Sequence, residues 1–571
     1  MRNYMDGGEA IVEAFRRLDI DYVMASPGSE WGSVWEAFAR QDEEKSEGPE
    51  YLSCAHETLA VNLAMGYTAM TGRMQAVMLH TGVGLLQGSM GIDAANRAGL
   101  PMVVVSGESQ TYSEQEGFEP GPQWHGVLSV VGGPSSLVDR ITKWSQPISS
   151  PHTLHEQLIR AGEMAQRSPA GPVYMSVPIE TMLHDWTPPQ NPREVPPAPK
   201  PMPPNADIEA VADMLLNSEN PAIVAESIGR DPAGYAATIQ LAELLAIPVS
   251  ECRWLDFTNF PKDHSMYQGM GEPEYLHDCD VVLTLRARAP WTPPSAKPSN
   301  AKIVNIDETP FRPHMVHQSL QADVFLEGDA VATLQSLVAV IRERGVDNTA
   351  VARRQKKWSA AHEDLVAGKK RLEDEALAME VITPVGLCAT LGDVLPDDAV
   401  YIDETITHRP IIVRHLAFQG PQAFFSVPSG GLGQGLGLAL GAKLAMKDRF
   451  VVSVIGDGSF MYNPVVQSLA LSKHKDLPLL IIIFNNGGYS AMRKEHHAYY
   501  PDGVAAEHNA SVGHTITELD YAELGAPFGF HGCRIDKLAD LPDAIKEAQE
   551  VVEGGRTAIL NVVLDDGTMA R

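Results

Sequence analysis

Asp457 stands between two glycines at the end of one apolar run, "RFVVSVIGDG", and Asn485 and Asn486 close the next, "PLLIIIFNN". One carboxylate beside amide oxygens is a set of hard donors. It suits a small divalent cation such as magnesium, which keeps few protein carboxylates and takes further ligands from a phosphate. The flanking glycines let backbone N–H groups approach that phosphate closely. Taken singly, Asp-Gly and Asn-Gly are ordinary turns; their pairing at two run ends, separated by one helix-length stretch, is what points to a site. A second candidate is Glu57 in "YLSCAHETLAVNLAMGYTAMTG" (51–72), an acid opening a helix-like stretch, where a helix N-terminus by itself also favours acids. Ser29 in "ASPGSEW", His80 in "MLHTGVG", and Thr405 and Thr407 in "DETIT" also follow apolar runs.

These residues can act together only if the runs before them are strands, because open parallel sheets bind ligands outside the carboxyl ends of their strands. Between the two run ends, "NPVVQSLALSKHKD" has the length and period of a crossover helix, with Asn463 as its N-cap and Pro464 in the first turn. The same alternation of β-branched runs and amphipathic stretches extends along the whole chain. The expected strands are "YVMAS", "YLSCA", "QAVMLH", "PMVVVS" and "PVYMSV"; then "PAIVAE", "IPVSE", "DVVLTL" and "KIVNID"; then "AVYIDE", "AFFSV", "VVSVIGD", "LLIIIFNN" and "TAILNVVL". The pattern predicts an α/β protein of three doubly wound parallel-sheet domains, at 1–186, 205–345 and 378–571. A proline-rich spacer (187–207) and a polar, helical connector (354–379) separate them.

A chain of 571 residues exceeds one core, which agrees with three domains. With 44 Lys+Arg against 73 Asp+Glu, its formal charge of −29 repels nucleic acid and anionic membrane surfaces, so neither is an expected partner. No apolar run is long enough to span a bilayer, and the start reads as no secretory signal. Five cysteines in no metal-ligand spacing are expected as reduced thiols of a cytoplasmic protein. "GGLGQGLGLALG" (430–441) does not make a dinucleotide fingerprint, because Leu436 and Leu438 fall where a third glycine is required.

"GDGS", one crossover and "NN" resemble the signature of the thiamine-diphosphate enzymes, and "GGLG" and "HE…GYTAMTG" resemble that family's other motifs. The resemblance implies a pyrimidine-binding, a central and a diphosphate-binding domain, with thiamine diphosphate and magnesium as cofactors. It makes Asp457, Asn486 and the carbonyl of Gly488 the magnesium ligands. Gly458, Ser459, Thr405 and Thr407 then meet the phosphates, Leu432 wedges the bent cofactor, and the Gly430 carbonyl faces its amino group. Glu57 becomes the acid that activates the aminopyrimidine. The active site of such enzymes lies between subunits, so a homodimer or homotetramer is implied.

Within that family, Ser29 and His80 match active-site positions of the benzoylformate decarboxylases, whereas acetolactate synthases usually have neither. The resemblance therefore implies a lyase that decarboxylates a small 2-oxo acid through an enamine, with His80 and Ser29 relaying protons. Carboligation to an aldehyde or ketone acceptor, as in acetolactate synthases, and hydrolysis of a diketone C–C bond are the alternatives. An inactive, cofactor-binding regulatory protein is a further alternative, disfavoured by retention of Glu57. Met492, where pyruvate decarboxylases carry a glutamate, disfavours that enzyme. The central segment "LRARAPWTPP" has Trp291 and no histidine where benzoylformate decarboxylases have a second one. Flavin in the central domain is left open.

Overall fold

Uninterrupted runs of Val, Ile and Leu become strands covered on both faces. The computed structural model describes residues 5–108, 122–416, 418–510, 512–517, 519–565 and 567. Among these residues eighteen strands form three six-stranded sheets whose pairings are all parallel.

 The first sheet holds β1 (Tyr22–Ser26), β2 (Glu50–Ser53), β3 (Gln75–Leu79), β4 (Met102–Glu108), β5 (Trp144–Pro147) and β6 (Pro172–Pro178), in the order β2-β1-β3-β4-β6-β5. The second holds β7 (Pro221–Ala225), β8 (Val249–Glu251), β9 (Tyr267–Met270), β10 (Val281–Leu285), β11 (Lys302–Asp307) and β12 (Val324–Glu327), in the order β12-β11-β10-β7-β8-β9. The third holds β13 (Val400–Glu404), β14 (Phe424–Phe425), β15 (Val451–Gly456), β16 (Leu480–Asn485), β17 (His531–Ile535) and β18 (Ala558–Val563), in the order β14-β13-β15-β16-β18-β17.

Every residue of β3, β7, β10, β13, β16 and β18 is buried, as strands covered by helices on both faces must be. Four strands were not expected from the sequence: β5, β9, β12 and β17. All four lie at sheet edges.

The chain packs as two compact units. One comprises the residues up to Pro199 together with Val427–Met446 and Asn463–Leu471, and so holds the first sheet and the helix Gly435–Ala445. The other comprises Lys200–Ser426, Lys447–Tyr462 and the residues from Ser472 onward, and holds the second and third sheets. The polar connector is part of a 30-residue helix, Asn348–Leu377, which docks on the second sheet's core through buried Trp358 and through Arg354 Nε, donating to Leu245 O at 2.8 Å.

The crossover between β15 and β16 differs from expectation. It is two helices, Asp457–Tyr462 and Val465–His474, and the Asn463 Oδ1 accepts the Leu436 N–H at 3.0 Å, at the start of the helix Gly435–Ala445. A helix's first N–H groups lack partners within the helix, and here a residue distant in sequence supplies one. No helix among the described residues is long and apolar enough to cross a membrane.

Candidate functional site

β15 and β16 are neighbours with Gly456 opposite Phe484, so the turns that follow them lie side by side. Asp457 is buried; its Oδ1 accepts the Gly458 N–H at 2.8 Å and its Oδ2 the Gly487 N–H at 2.9 Å. Gly487 has φ +81°, a left-handed conformation that favours glycine. The two asparagines divide their work. Asn485 is tied into the sheet, its Nδ2 donating to Asn561 Oδ1 at 3.0 Å and its Oδ1 accepting from Gly487 N at 3.1 Å. Asn486 Nδ2 donates to Ser490 Oγ, which fixes the orientation of the carboxamide, and its Oδ1 accepts a long 3.4 Å contact from Gly488 N. The Gly488 carbonyl accepts the Ser490 N–H at 3.1 Å.

Burial pushes the Asp457 carboxyl up to about 6, against the N–H groups of Gly458, Gly487 and Gly488 and the charge of His408. A buried carboxylate held in that way is short of positive charge, and a divalent cation would offset it. Among the described residues no three His, Cys, Asp or Glu side chains converge as a metal cluster. The donors at this turn are one carboxylate with amide and carbonyl oxygens, the set a hard cation takes, so the residues fit magnesium.

Gly458 and Ser459 open the helix Asp457–Tyr462, and the Tyr489 ring lies against Gly458, where a Cβ would stand 2.6 Å from Tyr489 Cε1. Ser459 is buried. On the neighbouring strand end, Thr405 is buried and gives both its N–H and its hydroxyl hydrogen to Asp403 Oδ1. Asp403 Oδ2 in turn accepts from Arg409 Nε at 2.7 Å and Ser426 Oγ at 3.1 Å. Thr407 is half-buried in the turn after Thr405.

In the other unit, Glu57 is the first residue of the helix Glu57–Thr71 and is half-buried; His56 caps the helix by accepting the Thr58 N–H at 3.2 Å. His80 follows β3 and precedes the helix Thr81–Ala98. Gly84, in the first turn of that helix, makes room for both side chains, since a Cβ there would stand 3.1 Å from Glu57 Oε1 and 3.3 Å from His80 Cβ. His80 Nδ1 lies 3.0 Å from each carboxylate oxygen of Glu30, which is buried. Two glycines permit that approach: a Cβ on Gly28 would stand 2.0 Å from His80 Nδ1, and one on Gly107 would stand 2.2 Å from Glu30 Cγ. Trp31 Nε1 donates to Leu79 O at 3.0 Å, which ties the turn carrying Glu30 to the end of β3. The Glu30 hydrogen bond, followed by the charges of Glu30 and Glu57, raises the His80 pKa against the effect of burial.

Ser29 heads the same turn and is exposed. Sequence reasoning named Ser29 and missed Glu30, its neighbour, whose carboxylate is the one that meets His80. Glu30 follows the strand-end turn after β1, and only the assembled sheet sets β1 beside the strand that ends at His80.

The 430–433 loop belongs to this unit too. Gly430 is exposed and Leu432 half-buried, and the Gly433 carbonyl accepts from Asn62 Nδ2 at 3.3 Å. The helix after the loop lies backbone to backbone on the helix that Glu57 opens: a Cβ on Gly66 would stand 2.2 Å from Leu438 O, and one on Gly441 2.2 Å from Leu63 O. One unit therefore gathers Glu57, His80, Glu30 and the loop with Gly430 and Leu432. The other gathers Asp457, Gly458, Ser459, Asn486, Gly488, Thr405 and Thr407.

Residues 5–128, 208–337 and 407–562 match, in turn, the N-terminal TPP binding domain, the central domain and the C-terminal TPP binding domain of the thiamine pyrophosphate enzymes. The chain is 25% identical to benzoylformate decarboxylase of Pseudomonas aeruginosa, over 94% of this chain and 96% of that one. It is 24% identical to the acetolactate synthase isozyme 2 large subunit of Escherichia coli, over 95% and 93% of the two. Its fold is similar to that of a thiamine diphosphate-dependent 4-hydroxybenzoylformate decarboxylase from Rhodococcus jostii, with a TM-score of 0.79, 21% identity, and 98% and 99% of the two chains covered. With all three domains matched along well over half its length, the chain belongs to the thiamine pyrophosphate enzymes.

Proposed function

We propose that the chain is a magnesium- and thiamine-diphosphate-dependent lyase that decarboxylates a 2-oxo acid without net oxidation. The observation that supports this reading is the Glu30–His80 pair beside Glu57. A histidine whose pKa is raised by a buried carboxylate is suited to proton donation, which a decarboxylase needs to finish its product and a carboligase does not. When bound, the cofactor supplies a thiazolium ring that takes up the electron pair left as carbon dioxide departs.

The chain's own residues do the rest in this reading. Asp457, Asn486 and the Gly488 carbonyl hold magnesium, and Gly458, Ser459, Thr405 and Thr407 face the phosphates. Leu432 and the Gly430 carbonyl orient the organic part of the cofactor. Glu57 holds a proton at a pyrimidine nitrogen, and His80, with Ser29 nearby, delivers a proton to the product carbon. Domain limits at 1–186, 205–345 and 378–571 belong to the same proposal. So does a homodimer or homotetramer, which the exposed side chains of Val83, Leu86 and Met90 on one helix would suit. Five cysteines without disulfides agree with a cytoplasmic location.

The test is a screen of 2-oxo acids, with and without an aldehyde acceptor, recording carbon dioxide and ligation products together. In His80→Ala, aldehyde release should fall by about 10²–10⁴-fold. It should fall more than carbon dioxide release, with an added acceptor capturing a larger share of product. Unchanged partitioning in a folded variant would favour carboligation instead.

A further inference from the structure

Asn561 places a carboxamide in the middle of the apolar run of β18, "AILNVV", and is fully buried. Asparagine is disfavoured inside strands, and a buried one is costly unless its donors and its acceptor are used. Both ends of this one are used. Its Nδ2 donates to Leu519 O at 3.3 Å and to Asp520 Oδ1 at 3.2 Å, and its Oδ1 accepts from Asn485 Nδ2 at 3.0 Å. Asn561 stands opposite Ile483 across the sheet, so Asn485, two residues further along β16, projects from the same face.

The backbone fixes the direction of every bond in this chain. A carbonyl only accepts, so the Asn561 amide group faces Leu519 O and its Oδ1 faces Asn485. Asn485 therefore gives its amide group to Asn561 and turns its own Oδ1 to the Gly487 N–H at 3.1 Å, an N–H that also donates to Asp457 Oδ2 at 2.9 Å. With Asn561 removed, nothing would stop Asn485 from presenting a donor to that N–H. The other end of the chain returns to the same turn. Asp520 accepts the Ala522 N–H at 3.1 Å at the start of the 3₁₀ helix Tyr521–Phe528, and the Tyr521 ring lies 5.6 Å from that of Phe460, in the helix that Asp457 opens.

We infer that Asn561 is a positioning residue of the metal site: through Asn485 it aims the Gly487 N–H at Asp457, and so sets the Asp457 carboxylate and the turn that carries Asn486 and Gly488 in one arrangement. Groups that orient a metal's ligands matter to affinity nearly as much as the ligands do. The inference rests on the reading above in which Asp457, Asn486 and the Gly488 carbonyl hold magnesium.

The test is titration of manganese(II), which takes the same oxygen ligands as magnesium and is read by its paramagnetic resonance, into the full chain with a fixed excess of thiamine diphosphate. Asn561→Leu keeps the bulk and removes the polar atoms, and should weaken manganese binding by about 10–100-fold. Asn485→Ala should weaken it as much, and the double variant no further, because both cut the same link. Leu560→Ala, buried on the opposite face of β18, is the control: it should lower the melting temperature and leave manganese binding unchanged. If Asn561→Leu does not fold, Asn561→Ala carries the same expectation. Wild-type manganese affinity in a folded Asn561 variant, an equal loss in Leu560→Ala, or losses that multiply in the double variant would each overturn the assignment. Failure of the magnesium reading is distinguishable, because it shows as manganese affinity that Asp457→Ala leaves undiminished.

Discussion

A histidine that must donate a proton near neutral pH needs a group that keeps it charged, and Glu30 is placed for that. An imidazolium donor works below its pKa and fails as pH rises through it. Glu30→Gln removes the charge and keeps the shape, so the fall of kcat/KM on the alkaline side should move to lower pH. The linkage has the same sign: His80's folded pKa is raised, so its contribution to stability is full below the unfolded value, about 6.5, and is lost as pH rises through the folded pKa. The loss of melting temperature in Glu30→Gln should therefore be larger at pH 5.5 than at pH 9. A pH–rate profile that does not move would remove Glu30 from the proton pathway. Glu57→Gln should bind the cofactor yet slow hydrogen–deuterium exchange at the thiazolium carbon, because an amide does not share a proton with the ring nitrogen as a carboxyl does. The placing of Asp457, Asn486 and His80 at strand ends, and of Glu57 at a helix start, was legible in the sequence from the strand-like runs that precede them. Glu30 was not, because its role depends on which two strands are neighbours, and β1 lies beside β3 only once the sheet is assembled.

Helix against helix, the Glu57 element is positioned by the absence of side chains. Gly66→Ala would drive a Cβ into the Leu438 carbonyl, backbone that cannot swing aside as a side chain could. The expected cost is about 1–3 kcal/mol, read as a lower melting temperature. Slower exchange at the thiazolium carbon should accompany it, since the helix opened by Glu57 shifts against the loop carrying Leu432. Gly368→Ala is the control: nothing lies within 4 Å of its Cβ position in the helix Asn348–Leu377, so the substitution should be neutral or stabilising by up to about 1 kcal/mol. Equal effects of the two substitutions would mean that the close helix contact does not matter. The same scale explains which strands were legible. Strands covered on both faces are continuous apolar runs; β5 "WSQP", β9 "YQGM", β12 "VFLE" and β17 "HGCRI" are edge strands, with partly exposed, mixed sequences that carry no such signal. The split crossover was equally hidden, because the acceptor role of Asn463 lies on another helix.

Across the larger unit, the second sheet's module braces the third although it supplies none of the candidate site residues. Phe257 pairs with Phe425 through the backbone, their rings 4.8 Å apart, and Ser426 N donates to Asp256 O at 2.9 Å. The helix Arg409–His415, which follows Thr405 and Thr407, is held at both ends. Trp254 lies 5.4 Å from the Arg409 guanidinium at its start, and Lys262 donates to Val413 O and Leu416 O at its close. The Lys262 ammonium also stands 3.9 Å over the Phe418 ring, and burial holds its pKa below the ordinary lysine range, against the charge of Glu251. A helix's last carbonyls lack partners of their own, so Lys262 supplies donors that nothing within the helix can. Lys262→Met keeps the length and the apolar stem but removes the donors. Each buried carbonyl left unsatisfied costs about 1–3 kcal/mol. The melting temperature should fall, and thiamine diphosphate should bind more weakly, because Thr405 and Thr407 stand at the other end of the loosened helix. Calorimetric titration of the cofactor and a thermal scan read both effects. A lower melting temperature with unchanged cofactor affinity would confine Lys262 to stability; no change in either would mean the two modules hold together without it.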